Sequence, residues 1–263
     1  MTPVPTPLRR LSPLAALALA LTLATGAASP PPPPSPARPG TPAVAATAPP
    51  LLEELARAAP ALDRQVLSLA TRAMSCALRR PDPLRRPATL SVIDYSRPST
   101  QPRLWVFDLA RKRLLFEELV AHGRGTGENL ALRFSNRSGS NMSSLGGFET
   151  EETYVGHNGY SLRLRGLEPG YNDQARDRAI VIHGAPYVSP ALIKSVGRLG
   201  RSLGCPAVRP AVAKPLIDSI REGSFVFAYY PDADWLRHSR LLQPGCGDAV
   251  AAQPDTATAT ATN

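Results

Sequence analysis

Cysteine is scarce in this chain of 263 residues: three, at positions 76, 205 and 246. Histidine is nearly as rare, with four, at 122, 157, 183 and 238. No pair of them stands at the close spacing of a structural zinc motif, which leaves only a metal site assembled from distant residues. Aromatic residues make up 6% of the chain and do not interleave with the arginines. That absence argues against a nucleic-acid-binding surface, despite a formal charge of +9. A basic surface facing an anionic envelope fits the charge, and so does an ordinary solvated one. No internal repeat is visible. A long hydrophobic run is also missing. The apolar stretch LSPLAALALALTLATGAAS, after Arg9 and Arg10, is short and Ala-rich. It reads as a secretory signal peptide over residues 1–29, not as a membrane span, so no stable span is expected in the mature form. No cysteine lies near Ala28 to serve as a lipid anchor.

Proline is abundant where a core cannot form. PPPPPSPARPGTPAVAATAPP, from Pro30 to Pro50, is expected to be a linker, because proline removes backbone donors and favours extended conformations. The segment 247–263, ending in TATATATN, reads as a disordered tail. The folded unit is therefore expected over about 51–246. Apolar residues three and four apart in LLEELARAA and LDRQVLSLATRAMSCAL predict a helical N-terminal subdomain over 51–87. From Ala88 the period changes. TLSVIDYS, RLWVFDLA, LLFEELVAHG, HNGYSLRLRGL, DRAIVIHGA and GSFVFAYYP read as strands, the first of them as a hairpin. GRGTGENLALRFSNRSGSNMSSLGGFET, rich in Gly, Ser and Asn, reads as long ordered loops with only short strands. SPALIKSVGRL and AVAKPLIDSIREG read as later helices. The fold class is mainly β with flanking helices, with the β-rich domain at 88–246.

Cys205 stands in GRSLGCPAV. Gly204 permits a tight bend before it, and a nucleophile needs a bend with N–H groups aimed at a developing oxyanion. The same residues also suit a buried loop cysteine packing as a small hydrophobe. His183 follows the apolar strand AIVI, where a rigid strand end and Gly184 would suit a base that takes a thiol proton. A plain strand-end histidine is the competing reading. For an exported protein, Cys76 and Cys246 are a candidate disulfide that leaves Cys205 free. Whether their Cβ atoms meet is not written in the sequence.

VIHGAPYVS followed by GRSLGCPAV resembles the L,D-transpeptidase catalytic domain, in particular the murein L,D-transpeptidase branch. LWVFDLARKRLLFEELVAHGRGTG, FSNRSGSNMSSLGGFET and YVGHNGYSLRLRGLEPGYNDQARDRAIVIHGA extend the likeness over about 88–230. The resemblance implies Cys205 as nucleophile and His183 as its base, with Gly204 and the Cys205 N–H at the oxyanion hole. Ser202 opens the second motif. Leu203 stands where the broader family has a second histidine, and Arg209 lies four residues beyond the cysteine, displaced by Pro206 and Ala207. His122, Asn136, Tyr187, Ser202 and Arg209 are expected to line the substrate cleft. The implied substrates are peptidoglycan stem peptides containing diaminopimelate. A tetrapeptide stem would lose D-alanine, form a thioester and pass the acyl group to an amine. Water as acceptor would make an L,D-carboxypeptidase. A non-catalytic peptidoglycan-binding module is the reading from another class. The implied chemistry needs no metal and no organic cofactor. The expected location is the periplasm or cell envelope, and the oligomeric state is open.

Overall fold

The structure, a computed structural model, describes residues 50–80, 84 and 87–246. The expected signal peptide, nearly all of the expected linker and the expected tail lie outside the described residues. Helix α1 (Pro50–Ala58) and helix α2 (Arg64–Ala77) come first. The Asp63 side chain caps α2 by accepting from the Gln65 and Val66 amides at 2.7 and 3.1 Å. The apolar stripe of α2, including Val66, Leu67, Ala70, Ala73 and Met74, is buried. It joins the same core as the sheet, so the helices share that core instead of building a separate one.

Among the described residues nine strands form one mixed sheet: β1 (Thr89–Asp94), β2 (Leu104–Asp108), β3 (Arg113–Glu118), β4 (Val120–Ala121), β5 (Gly146–Gly156), β6 (Gly159–Gly166), β7 (Val181–Gly184), β8 (Ala207–Val208) and β9 (Phe225–Tyr229). Their order is β3-β2-β1-β9-β5-β6-β7-β8-β4. β1, β2 and β3 pair antiparallel, as the expected hairpin requires. β1 pairs with β9, and β7 with β8, in parallel. Helices α3 (Pro190–Val196), α4 (Pro210–Ile220) and α5 (Ala233–His238) complete the unit. The fold is mostly β, with a few helices.

β5 is eleven residues long, in a segment whose sequence suggests loops. Its pattern is broken by three glycines and by ETEE, yet it pairs with both β9 and β6. Backbone hydrogen bonds on both sides, not side-chain alternation, make it a strand. Its start is held by Glu168, which is buried and accepts from Gly147 N–H, Trp235 Nε1 and the Ser239 hydroxyl. Asn172 donates from Nδ2 to the Leu145 and Gly147 carbonyls. The Glu168–Asn172 segment that carried part of the resemblance is thus a structural clamp.

At the β7–β8–β4 corner, alternation splits the side chains between two clusters. Val120, Ile182 and Val208 enter the main core. Ala121 and Ala207 face a smaller cluster with Leu119, Ala185, Val188 and Leu199. His183 is in register with Ala207 on β8 and therefore shares this second face. Alanines beside it leave room for an imidazole.

Cys76 and Cys246 form a disulfide across 170 residues of sequence, and Cys205 is the free cysteine. A bridge closing so long a loop is expected to contribute about 3–5 kcal/mol by restricting the unfolded chain. Reduction, or a Cys246→Ser substitution, should lower the thermal midpoint by roughly 10 °C for a domain of this size. A midpoint unchanged by reductant would remove the bridge from the stability of the fold.

Candidate active site

Cys205 precedes β8 by two residues, on the bend formed by Ser202, Leu203 and Gly204. Gly204 has φ +132°, and a Cβ there would come within 2.9 Å of Ile180 Cδ1 and the Met142 carbonyl oxygen. Only glycine fits that conformation and that approach. Ser202 ties the bend together: its hydroxyl donates to the Cys205 carbonyl at 2.7 Å and accepts from Gly204 N–H at 3.1 Å. Ser143, from the loop before β5, donates its hydroxyl to the Gly204 carbonyl at 2.9 Å and accepts from Gly123 N–H at 3.0 Å.

This arrangement orients one peptide. In a trans peptide the carbonyl and the following N–H point in opposite directions. With the Gly204 carbonyl held by Ser143, the Cys205 N–H points the other way and makes no hydrogen bond to any other described residue. It acts on its own sulfur, helping to lower the thiol pKa. The Gly204 N–H is already used by Ser202, so of the two expected oxyanion donors only the Cys205 amide is free.

Cys205 is buried, with 9% of its surface exposed. Its sulfur accepts from Val181 N–H at 3.5 Å and lies 3.6 Å from the Ala179 carbonyl, to which S–H donates. Burial pushes its pKa up, while the Val181 N–H and the Arg178 charge pull it back. His183 is buried too, and burial lowers its pKa below 6.5. Its Nδ1 lies 3.0 Å from the Gly184 carbonyl oxygen. A carbonyl has no proton to give, so Nδ1 carries the hydrogen and Nε2 holds the lone pair. Both shifts favour a neutral thiol beside a neutral imidazole at rest. No hydrogen bond joins the two.

Tyr187 packs against Gly200, and its pKa is pushed up to about 12 by burial and by the nearby Cys205 charge. Leu203, beside the cysteine, is 64% exposed and presents an apolar lip to solvent.

Several expected cleft residues stand elsewhere. Ser202 is buried, and both roles of its hydroxyl are spent on the bend, so it holds the loop instead of touching a ligand. His122 is 1% exposed. Its Nδ1 accepts from Arg103 at 2.8 Å and its Nε2 faces the Gly127 carbonyl at 3.3 Å. Burial and the Arg103 charge push its pKa down to about 4. It is a neutral core histidine, with no nitrogen left for a substrate. Arg209 is committed to the Glu118 carboxylate through Nε and Nη2 at 2.9 and 2.6 Å. Asn136 donates to Asp173 at 2.7 Å and lines a separate hollow of about 340 Å³ with Arg137, Tyr171, Asp234 and Trp235. Sequence reading passed over Arg178, one arginine among 30 basic residues, which nothing local distinguishes. Among the described residues no group of three or more His, Cys, Asp or Glu is placed to hold a metal, and no helix is long and apolar enough to cross a membrane.

Fold and site together define a class: a mixed-sheet domain presenting one free cysteine and one histidine at the same corner of adjacent strands. The chain belongs to the L,D-transpeptidase catalytic-domain family, which it matches over residues 58–229. Among solved structures, an L,D-transpeptidase from Mycobacterium smegmatis is 14% identical, with 54% of this chain and 59% of that one covered and a TM-score of 0.34. One from Mycobacterium tuberculosis H37Rv is 15% identical, covering 55% and 58%, with a TM-score of 0.32. A mutant of the Enterococcus faecium L,D-transpeptidase is 14% identical, covering 54% and 50%, with a TM-score of 0.32. The chain spans 50–59% of the length of these three proteins. No curated protein matches it.

Proposed function

We propose that this chain is an exported peptidoglycan L,D-transpeptidase in which Cys205 is the nucleophile and His183 the general base. The observation that carries the reading is the pairing of a free thiol with a Cys205 N–H that no other described residue takes up, next to a strand whose histidine keeps Nε2 free. His183 Nε2 takes the thiol proton as sulfur attacks the carbonyl of diaminopimelate in a tetrapeptide stem. The Cys205 N–H receives the developing oxyanion. Collapse breaks the bond to D-alanine, whose amine takes the proton from His183, and leaves a thioester on Cys205. An amine from a second stem then attacks, gives its proton to His183 and regenerates the thiol. Tyr187, near the sulfur, and the exposed Leu203 on the same bend as Cys205 would serve as walls for the stem.

The test is mass spectrometry of purified protein with defined tetrapeptide muropeptides. Loss of D-alanine with a crosslinked dimer establishes transpeptidation. A tripeptide alone makes water the acceptor and the protein an L,D-carboxypeptidase. No D-alanine release by folded protein across varied donor stems rejects the substrate assignment and leaves a peptidoglycan-binding role.

Ser143 is a positioning residue in this scheme, because its hydroxyl sets the direction of the oxyanion donor without touching substrate. Ser143→Ala should lower kcat about 10–100-fold while KM stays within about twofold. Ser143→Thr, which keeps a hydroxyl, should recover most of the loss. A loss confined to KM, or no rescue by threonine, would contradict this assignment.

A further inference from the structure

Arg178 lies on the turn before β7. Its guanidinium is half-buried and fully committed in direction. Nη1 donates to the Ser135 carbonyl and the Ser144 hydroxyl at 2.7 and 2.6 Å. Nη2 donates to the Met142 carbonyl and the Ser140 hydroxyl at 2.6 and 3.3 Å. All four partners are neutral. Several other arginines of the domain are paired with carboxylates, Arg209 with Glu118, Arg176 with Glu151 and Glu152, Arg198 and Arg201 with Glu128, while Arg72, Arg97 and Arg103 bond neutral groups as Arg178 does. Among the described residues Arg178 forms no ion pair.

The fork points at the nucleophile bend. A Cβ built on Gly204 would stand 3.5 Å from Arg178 Nη2. The next residue, Ala179, adopts φ +53°, a conformation costly for a residue with a Cβ, and its carbonyl lies 3.6 Å from the Cys205 sulfur. The turn at 178–179 thus carries a cation and a thiol acceptor to the same atom. Burial disfavours the charge on Arg178, and a negative charge on Cys205 favours it. Holding a partly desolvated cation without a counter-ion is costly unless an anion forms beside it.

We propose that Arg178 is the cation that stabilises the Cys205 thiolate, so that the negative charge created on sulfur meets a fixed, oriented guanidinium. The proposal rests on Cys205 being the reactive thiol, but not on any particular substrate. The other titratable groups around the sulfur are Tyr95 at the end of β1, Tyr187 after β7, and His183 on β7. Both tyrosines are pushed up to about 12 by burial and stay neutral near neutral pH. His183 is held in its neutral form by burial. None of the three supplies the resting positive charge. Arg103, the other buried cation, lies over the Tyr95 ring, and the titratable groups it faces are Tyr95 and Asp94.

The experiment is the rate of iodoacetamide alkylation of Cys205, followed by intact mass from about pH 6 to about pH 10, on the full chain with its disulfide intact. Cys205 is the free thiol, so the label reports one site. Arg178→Gln should raise the thiol pKa by about 0.5–1 unit and slow alkylation about 3–10-fold near pH ~7. Arg178→Lys keeps the charge but loses the fork, and should restore at least half of that shift. Ser144→Ala removes one fork partner while leaving the charge, and should leave the profile unchanged. An unshifted Arg178→Gln profile overturns the proposal. So does a shift of equal size in Arg178→Lys or Ser144→Ala, because Arg178 would then act by holding the loop. If Arg178→Gln does not fold, the parent chain decides. Rising ionic strength should raise its thiol pKa by screening the cation, and a salt-independent pKa overturns the assignment. D-alanine release is a separate readout: its failure with an intact thiol profile counts against the substrate, not against Arg178.

Discussion

Replacing Cys205 by alanine is expected to lower D-alanine release from tetrapeptide stems by on the order of 10⁴-fold or more, with the fold intact. The substitution removes one sulfur atom whose contacts are the Val181 N–H and the Ala179 carbonyl. Gly204, Ser202 and Ser143 keep the bend in place without it, so the melting midpoint should move by only a few degrees. No neighbour can substitute as nucleophile. The Ser143 and Ser202 hydroxyls donate to backbone carbonyls. Tyr95 and Tyr187 are pushed up to about 12 and remain protonated. The check is a kinetic assay of D-alanine beside intact-mass detection of an acyl adduct, present on the parent and absent from the variant. Release by Cys205→Ala above about 1% of the parent rate would place the nucleophile elsewhere.

His183→Gln should follow with a loss in kcat of about 10²–10⁴-fold, and with alkylation of Cys205 still measurable. Glutamine hydrogen-bonds but does not take up a proton, so it separates the base from the packing. The pH dependence carries a second signature. The base works when Nε2 is unprotonated. Burial lowers the His183 pKa, so the active form persists below pH 6.5. The acid limb of kcat/KM in the parent should therefore fall at a pKa below 6.5, with activity rising as pH rises through it. His183→Gln should lose that limb. A loss under about tenfold, or an acid limb that survives the substitution, would remove His183 from the proton transfer.

The two substitutions also separate the competing classes of function. A peptidoglycan-binding module would keep its affinity for stem peptides in both variants and show no turnover in the parent. An enzyme should lose turnover in both, and its muropeptide affinity should survive, because neither change touches Tyr187 or Leu203.

Much of the fold was legible. The apolar runs at TLSVID, LWVFD and FVFAY became buried strands because each carries enough β-branched and aromatic surface to fill a sheet interior. β5 was not legible, since its pairing is made by backbone groups on two neighbours while its side chains follow no clean alternation. Helix α5 escaped for a related reason: at six residues it is too short to show a period, and it is held by the Asp232 cap and the burial of Trp235. The single stretch LLFEELVAHG divides into β3 and β4 because Glu118 and Val120 pair with different partners, Leu104 on β2 and Val208 on β8.

The candidate site was legible in part. Sequence alone determined which residue types are present for the chemistry, one cysteine after a glycine and one histidine after an apolar strand, and the resemblance those motifs carry. Only the tertiary structure decided which side chains surround them. His122 and Arg209 carry suitable groups, but long-range partners had already taken those groups: Arg103 for the histidine and Glu118 for the arginine. Ser143 and Arg178, each more than 25 residues from Cys205 in sequence, reach the bend because Gly123, Gly204 and the 135–144 loop stack backbone against backbone. A hydrogen-bonding group does what its nearest partner allows. Partners brought from distant segments are set by the packing of the sheet, which no local spacing records.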